Sequence, residues 1–287
     1  MSKIGVITDT NACLDYFKHD FDIPILRSII HLNEEEFLDH VELKAEAFYK
    51  RLRDDKSITP RTSQPPTIKM TETYQAMKEK GYQDLIVITI SSHMSGIHSA
   101  AQVAAKEVKG VNVHVFDSKS VAFPQAKMAL EAAELAKQGK DVKTILSHLE
   151  FIRENNHMYF AVDTLAYLVK NGRLSGAQGF LGSMLKIKPL LHISKEGKVE
   201  AVEKIRTFKK AVDRVIEMHL EETKDKTNIE SFICHAHNDE TKKYIEEKLK
   251  AHNPKLKSVF SMPLTPAVGA HGGPGAISLG YYVKKPL

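Results

Sequence analysis

Between residues 85 and 116 the chain alternates two apolar runs with one helical stretch, and that rhythm confines it to a layered α/β architecture. Residues 85–90 (Leu-Ile-Val-Ile-Thr-Ile) read as a buried strand, 96–108 as a helix and 111–116 as a second strand stopping at Asp117-Ser118. Upstream, residues 3–7 form a short apolar run ending in Thr8-Asp9-Thr10, and a further strand is expected within 23–32, followed by an acidic turn, Asn33-Glu34-Glu35-Glu36. Helical spacing appears at Leu43, Ala47, Phe48 and Leu52, and again at Met70, Tyr74 and Met77. Two helices are expected at about 124–137, opening with proline, and 142–155. Strands alternating with helices predict a mainly parallel sheet. Ligands of such sheets lie beyond the carboxyl ends of the strands, where Thr8-Asp9-Thr10, residues 91–96 and Asp117-Ser118 all fall.

The second half has a different rhythm. A strand is predicted at 157–162, a short helix at 165–171, and strands at 187–193 and 198–205 around the hairpin turn Ser194-Lys195-Glu196-Gly197. A helix at 208–223, a strand at 229–235, a helix at 240–249 and strands near 256–262 and 276–282 complete it. The expected fold is therefore α/β: an amino-terminal, mainly parallel-sheet domain over residues 1–158 and a smaller mixed-sheet α/β domain over 159–287.

Composition excludes several function classes. The 287 residues carry 41 basic and 36 acidic side chains, a net charge of +5 spread without a basic run, and no tryptophan. That mixture does not suit a nucleic-acid binder. Cys13 and Cys234 are the only cysteines and follow no metal or disulfide spacing, which fits a reducing compartment. The first residues lack the charged and apolar regions of a signal peptide, and no apolar run reaches the ~18–20 residues of a membrane span. A cytoplasmic location is expected.

Three stretches combine small hydroxyl or glycine residues: Thr62-Ser63-Gln64-Pro65-Pro66, Ser91-Ser92-His93-Met94-Ser95-Gly96 and Gly269-Ala270-His271-Gly272-Gly273-Pro274-Gly275. Singly, the first two read as helix caps and the third as a structural histidine in a flexible loop. Together they offer neutral donors and a histidine that suit a small anionic head group without a metal. His235-Ala236-His237 lacks a third ligand at zinc spacing, and no phosphate-binding GxxxxGK[ST] loop or GxSxG elbow occurs. Ser95, His271 and Asp9 or Asp117 stay open as a serine-esterase triad acting on acyl substrates.

Taken in order, these segments, with Thr8-Asp9-Thr10, Asp117-Ser118-Lys119-Ser120 and Gly172-Arg173-Leu174-Ser175, resemble the DegV family over almost the whole chain. That family consists of bacterial fatty-acid-binding proteins that serve as the lipid-carrying subunit of fatty acid kinase. The resemblance implies a long-chain fatty acid such as palmitate held between the two domains, with its carboxylate on Thr62, Ser95 and Gly96 and with His271 beside it. It implies no cofactor, no metal and no catalytic residue in this chain. Implied partners are the fatty acid, a fatty acid kinase catalytic subunit docked at Arg206 and, for lipid exchange, a transient membrane contact. Four positions depart from the family pattern: Thr8 for serine, Ile97-His98 for Thr-Tyr, and Gly272 for threonine.

A tail also needs an apolar slot, and Phe160, Leu165, Leu168, Phe180, Leu181, Met184, Leu185, Ile187 and Leu190 are candidate linings, the 180–185 run as a tunnel wall or gate. About 14 methylenes at roughly 0.8 kcal/mol each provide about 11 kcal/mol of gross driving force, leaving the head group to set register.

Overall fold

The computed structural model describes residues 3–176, 179, 187–254 and 258–285. Four parallel strands form the first sheet in the order β2-β1-β6-β7: β1 (Ile4–Asp9), β2 (Ile25–Leu26), β6 (Asp84–Thr89) and β7 (Asn112–Asp117). Every residue of β6 is buried, as a central parallel strand covered on both faces requires. Helices α2 (Thr67–Glu79) and α3 (Ile97–Glu107) pack together, with α3 on β6 and β7. α4 (Phe123–Lys137) and α5 (Val142–Glu154) also pack together, α4 lying on β1 and β6.

A six-stranded mixed sheet follows in the order β10-β9-β8-β13-β11-β12. Its strands are β8 (Asn156–Ala161), β9 (Leu190–Ile193), β10 (Val199–Glu203), β11 (Ile229–His235), β12 (Phe260–Pro263) and β13 (Ile277–Val283). Residue 158 thus lies inside β8, the first strand of this sheet. The second sheet carries more strands than the first, so the lobe expected to be smaller has the wider sheet. Helices α7 (Phe208–Thr223) and α8 (Asp239–His252) cover one of its faces.

The other face meets the first lobe. Along β11 the side chains alternate, Phe232 and Cys234 joining the main core while Ile233 joins the cluster under α7. Phe123, at the start of α4, stacks on Phe232 with ring centroids 4.3 Å apart. The alanines of α4, Ala126, Ala129, Ala132 and Ala133, are small enough to let it serve both lobes.

The region between β2 and α2 departs from the sequence reading. Residues 29–38 form a hairpin, β3 (Ile29–Leu32) and β4 (Glu35–Leu38), and Arg61–Ser63 is β5, pairing with β3. Of the acidic stretch read as a turn, Asn33 and Glu34 do form the turn of this hairpin, while Glu35 and Glu36 begin β4, because their backbone bonds to β3 whatever their side chains carry. Thr62 is consequently fixed on a strand, opposite Ile30, and is not on a loop. Helix α1 (Ala45–Asp54) packs against α9 (Pro266–Gly272), and α6 (Ala166–Lys170) packs against α9 from another side. His271 therefore stands in the last turn of a short helix, where a glycine-rich loop was expected.

Candidate functional site

The parallel sheet ends in turns after β1, β6 and β7, and a cavity of about 310 Å³ opens there between the two lobes. Its polar end collects Thr62, Ser63 and Gln64 from β5 and the turn beyond it, Ser95 and Gly96 before α3, Arg173 after α6, and His271 and Gly272 from α9. Asn11 and Ser28 add two more polar groups. The remaining wall is apolar: Ile90, Met94, Val121 and Ala122 from the first lobe, and Met158, Phe160, Leu168, Ile193, Val199 and Ile277 from the second. Ser63, Gln64 and Gly96 are exposed, so the polar end is the mouth.

All four head-group candidates, Thr62, Ser95, Gly96 and His271, line this one cavity. Thr62 Oγ1 lies 2.9 Å from His271 Nε2, joining the two lobes across 209 residues of sequence. Burial, with Arg173 adding to it, lowers the His271 pKa to about 4, so the imidazole is neutral at pH 7. Its Nδ1 is buried without a hydrogen-bond partner among the described residues. A buried acceptor left unpaired is the more tolerable of the two omissions, which places the proton on Nε2. His271 Nε2–H then donates to Thr62 Oγ1, and the threonine's own proton is free to face an anion in the cavity.

Gly96 is tied to the same corner, since a Cβ there would lie 2.5 Å from Gln64 Oε1. Gly96 opens α3 without a side chain to cap it, and Ser95 Oγ accepts from Ile97 N–H at 3.3 Å. Unpaired N–H groups of a helix amino terminus favour negative charge beside them. Gly272 also sits tightly, a Cβ there falling 3.3 Å from that of Ala276, so a side chain at this position requires Ala276 to give way slightly.

One feature of the mouth differs from a wholly uncharged clasp. Arg173 lines it, held by Nε donating to Met94 O at 3.1 Å and by Nη1 donating to Asn171 O. Beneath α9, the buried Asp39 accepts from Ala267 N–H at 3.3 Å and from the Thr10 hydroxyl. Burial pushes the Asp39 pKa up to about 7.

The tail candidates divide. Phe160 and Leu168 line the cavity. Leu165 does not: it is wholly buried in the core at the start of α6. Ile187 packs against the core and is absent from the wall, and Leu190 faces the cluster under α7. Phe180, Leu181, Met184 and Leu185 lie outside the described residues. Arg206 is exposed just before α7 and does not line the cavity.

The esterase triad is not assembled. Asp9 is spent on Ile90 N–H at 2.7 Å and on the Asn11 backbone and side chain. Asp117 accepts from Lys119 and Ser92 N–H groups, and His271 pairs with a threonine instead of a carboxylate. His235 Nδ1 accepts from Asn238 N–H, a structural use. No group of three or more metal-ligating side chains occurs among the described residues, and no described helix is long and apolar enough to cross a membrane.

His271 makes stability depend on pH in a definite direction. Its folded pKa of about 4 lies below the ordinary value of 6.5, so below that value the unfolded chain takes up a proton that the folded chain refuses. Stability is therefore lost as pH falls from 6.5 toward 4, by at most roughly 3 kcal/mol from this residue. Burial acts on His219 in the same sense, to about 4, and on Asp39 in the opposite one. Comparison of His271→Gln with the unsubstituted protein isolates the histidine. Urea midpoints at pH 7 and 4.5 should differ less in the variant; an equal loss would remove His271 as a contributor.

Fold and cavity together define a two-lobed α/β binding protein with a polar mouth and an apolar interior. Residues 3–284 match the family described as "Uncharacterised protein, DegV family". This chain belongs to the DegV family. A DegV domain-containing protein of Halalkalibacterium halodurans is 32% identical over 286 residues, covering 99% of this chain and 100% of that one. The solved structure of DegV from Bacillus subtilis, described as a fatty acid binding protein, is 33% identical, with a TM-score of 0.87 over 99% of this chain and 100% of the other. A fatty acid binding DegV family protein from Streptococcus agalactiae gives 26% identity and a TM-score of 0.89 over 99% and 100%.

Proposed function

We propose that this protein binds a long-chain fatty acid such as palmitate and presents its carboxylate to a separate kinase subunit. The observation that carries the reading is the single cavity with Thr62, Ser95, Gly96 and His271 gathered at its open end and hydrocarbon walls behind them. Its volume, about 310 Å³, falls in the roughly 300–1,000 Å³ range of small-molecule sites. Carboxylate oxygens would accept from the Thr62 and Ser95 hydroxyls and meet the start of α3. The tail would run past Met94, Leu168, Phe160 and Met158, between an amino-terminal lobe of residues 1–158 and a carboxy-terminal lobe of 159–287. Burying it supplies most of the affinity, and association costs remove several kcal/mol of the gross gain.

An exposed carboxylate suits chemistry done by another protein. A carboxylate oxygen would attack the γ-phosphorus of ATP on the catalytic subunit, ADP would leave, and the acyl phosphate would remain in this cavity. Arg173 supports that step as a nearby positive charge, and exposed Arg206 is the candidate docking residue for the catalytic subunit. The setting proposed is cytoplasmic, with transient membrane contact when lipid is exchanged.

Native mass spectrometry of protein purified from cells, followed by organic extraction, should release a fatty acid. With ATP and a fatty acid kinase catalytic subunit, acyl phosphate should form only when this protein is present. A protein that comes out empty and gains no mass on incubation with palmitate would overturn the binding reading. Binding without stimulated phosphorylation would overturn only the kinase role.

A further inference from the structure

Behind the β9–β10 hairpin lies a second cavity of about 220 Å³, separate from the proposed lipid site except that Ile193 contributes to the walls of both. Every lining residue but Ile193 carries a polar group, Glu154 among them. Lys119 and Arg153 come from the first lobe, Tyr159 and His157 from β8, Lys195 from the hairpin turn and Glu222 from α7. The hairpin is seated close by, with the Ser91 hydroxyl donating to Gly197 O at 2.7 Å, and a Cβ on Gly197 would lie 3.0 Å from Lys119 Cα.

The groups facing this cavity are incompletely matched by one another. Glu222 Oε1 accepts from the Tyr159 hydroxyl at 2.6 Å and the Tyr281 hydroxyl also lies against this carboxylate, but Oε2 makes no well-formed hydrogen bond among the described residues. The nearest base, His157 Nδ1, stays 3.9 Å away. Arg153 is partly engaged, Nε donating to exposed Glu154 and Nη1 to Asp117 O, each at 3.3 Å. Lys119 and Lys195 form no ion pair among the described residues. One carboxylate oxygen thus has room for a donor, while half-buried Lys119, exposed Lys195 and part of the Arg153 guanidinium can take an anion beside the single competing carboxylate of Glu154.

We propose that this cleft is a binding site for a small phosphate monoester that also carries a hydroxyl, such as the phosphate of a short polyol. The phosphate would take charge-assisted hydrogen bonds from Lys119, Lys195 and Arg153, and the hydroxyl would donate to Glu222 Oε2. The cavity is smaller than the roughly 300 Å³ at which drug-sized sites begin, which argues against a nucleotide. A bare metal ion is not favoured either, since no cluster of three ligating side chains occurs among the described residues. The site is independent of the lipid reading, because its recognition groups do not line the first cavity.

Isothermal titration of the whole protein with glycerol 2-phosphate and with inorganic phosphate, at low ionic strength, tests it. Both probes should give saturable binding, the ester tighter by several fold. Lys119→Gln with Lys195→Gln should weaken both at least tenfold while leaving circular dichroism and extracted lipid unchanged. Glu222→Gln should narrow the preference for the ester over phosphate. Absence of saturable binding to the unsubstituted protein, or equal affinity in the double lysine variant, overturns the site.

Discussion

Replacing Thr62 and Ser95 together by alanine should weaken fatty-acid binding about a hundredfold and leave the fold intact. The argument begins with the hydrogen bonds. Each hydroxyl would donate to a charged carboxylate, an interaction of roughly 1.5–3 kcal/mol. Losing two places the effect between about 3 and 6 kcal/mol, or two to four orders of magnitude. Water at the exposed mouth takes over part of the lost bonding, which favours the lower end. The fold should tolerate the change, because both side chains sit at the cavity mouth and neither belongs to the core. Among the described residues the Thr62 side chain bonds only to His271, and that of Ser95 only to the start of its own helix. Fluorescent fatty-acid titration and thermal melting together check it. Unchanged affinity in a folded variant removes the assigned cradle.

His271 belongs to the same argument one step back. It is positioned to donate to Thr62, so its loss frees the threonine hydroxyl to rotate without deleting a direct bond to the ligand. The resulting defect should be smaller than that of the double variant.

The parallel sheet was legible because burial on both faces writes its strands as continuous apolar runs, as in β1 and β6. The boundaries of α7 agree with the reading at both ends, where Thr207 accepts from Lys210 N–H as the cap. Strand β5 was not legible. Arg61-Thr62-Ser63 is short and polar and joins its sheet through backbone bonds that no side-chain pattern reports. The helical setting of His271 was hidden in the same way, since α9 opens at a proline but contains glycines that suggest a loop. Gathering four head-group candidates at one cavity owed more to the family resemblance than to periodicity, because Thr62 and His271 meet across 209 residues.

The run 180–185 lies outside the described residues, and the described tail wall is assembled from alternate positions of separate strands: Met158 and Phe160 on β8, Cys234 on β11. Each of these residues looks like ordinary core in its own segment. Only the register of neighbouring strands, Phe160 beside Ser278 and Ser278 beside Cys234, brings them onto one surface. Arg173 was quoted as part of a motif but given no role, because its reach to the mouth depends on the turn after α6.

Gly269→Ala should lower stability by about 2–3 kcal/mol and weaken lipid binding as well, through a residue that never touches the ligand. Gly269 lies in α9, two positions before His271, and faces α1 at very close range. An added Cβ would stand 2.2 Å from the Tyr49 hydroxyl oxygen and 2.7 Å from the ring carbon that bears it. Tyr49 has no room to retreat, being wholly buried and donating to Leu264 O at 3.0 Å. The helix must move instead, and His271 moves with it, loosening the bond to Thr62. A melting temperature about 4–12 °C lower is expected from that loss of stability. Tyr49→Phe in the same chain removes the closest atom but leaves the ring, so it should restore part of the stability and part of the binding together. Restoration of stability alone would show that α9 does not couple its packing to the cavity mouth, and a Gly269→Ala protein with unchanged melting would refute the close approach itself.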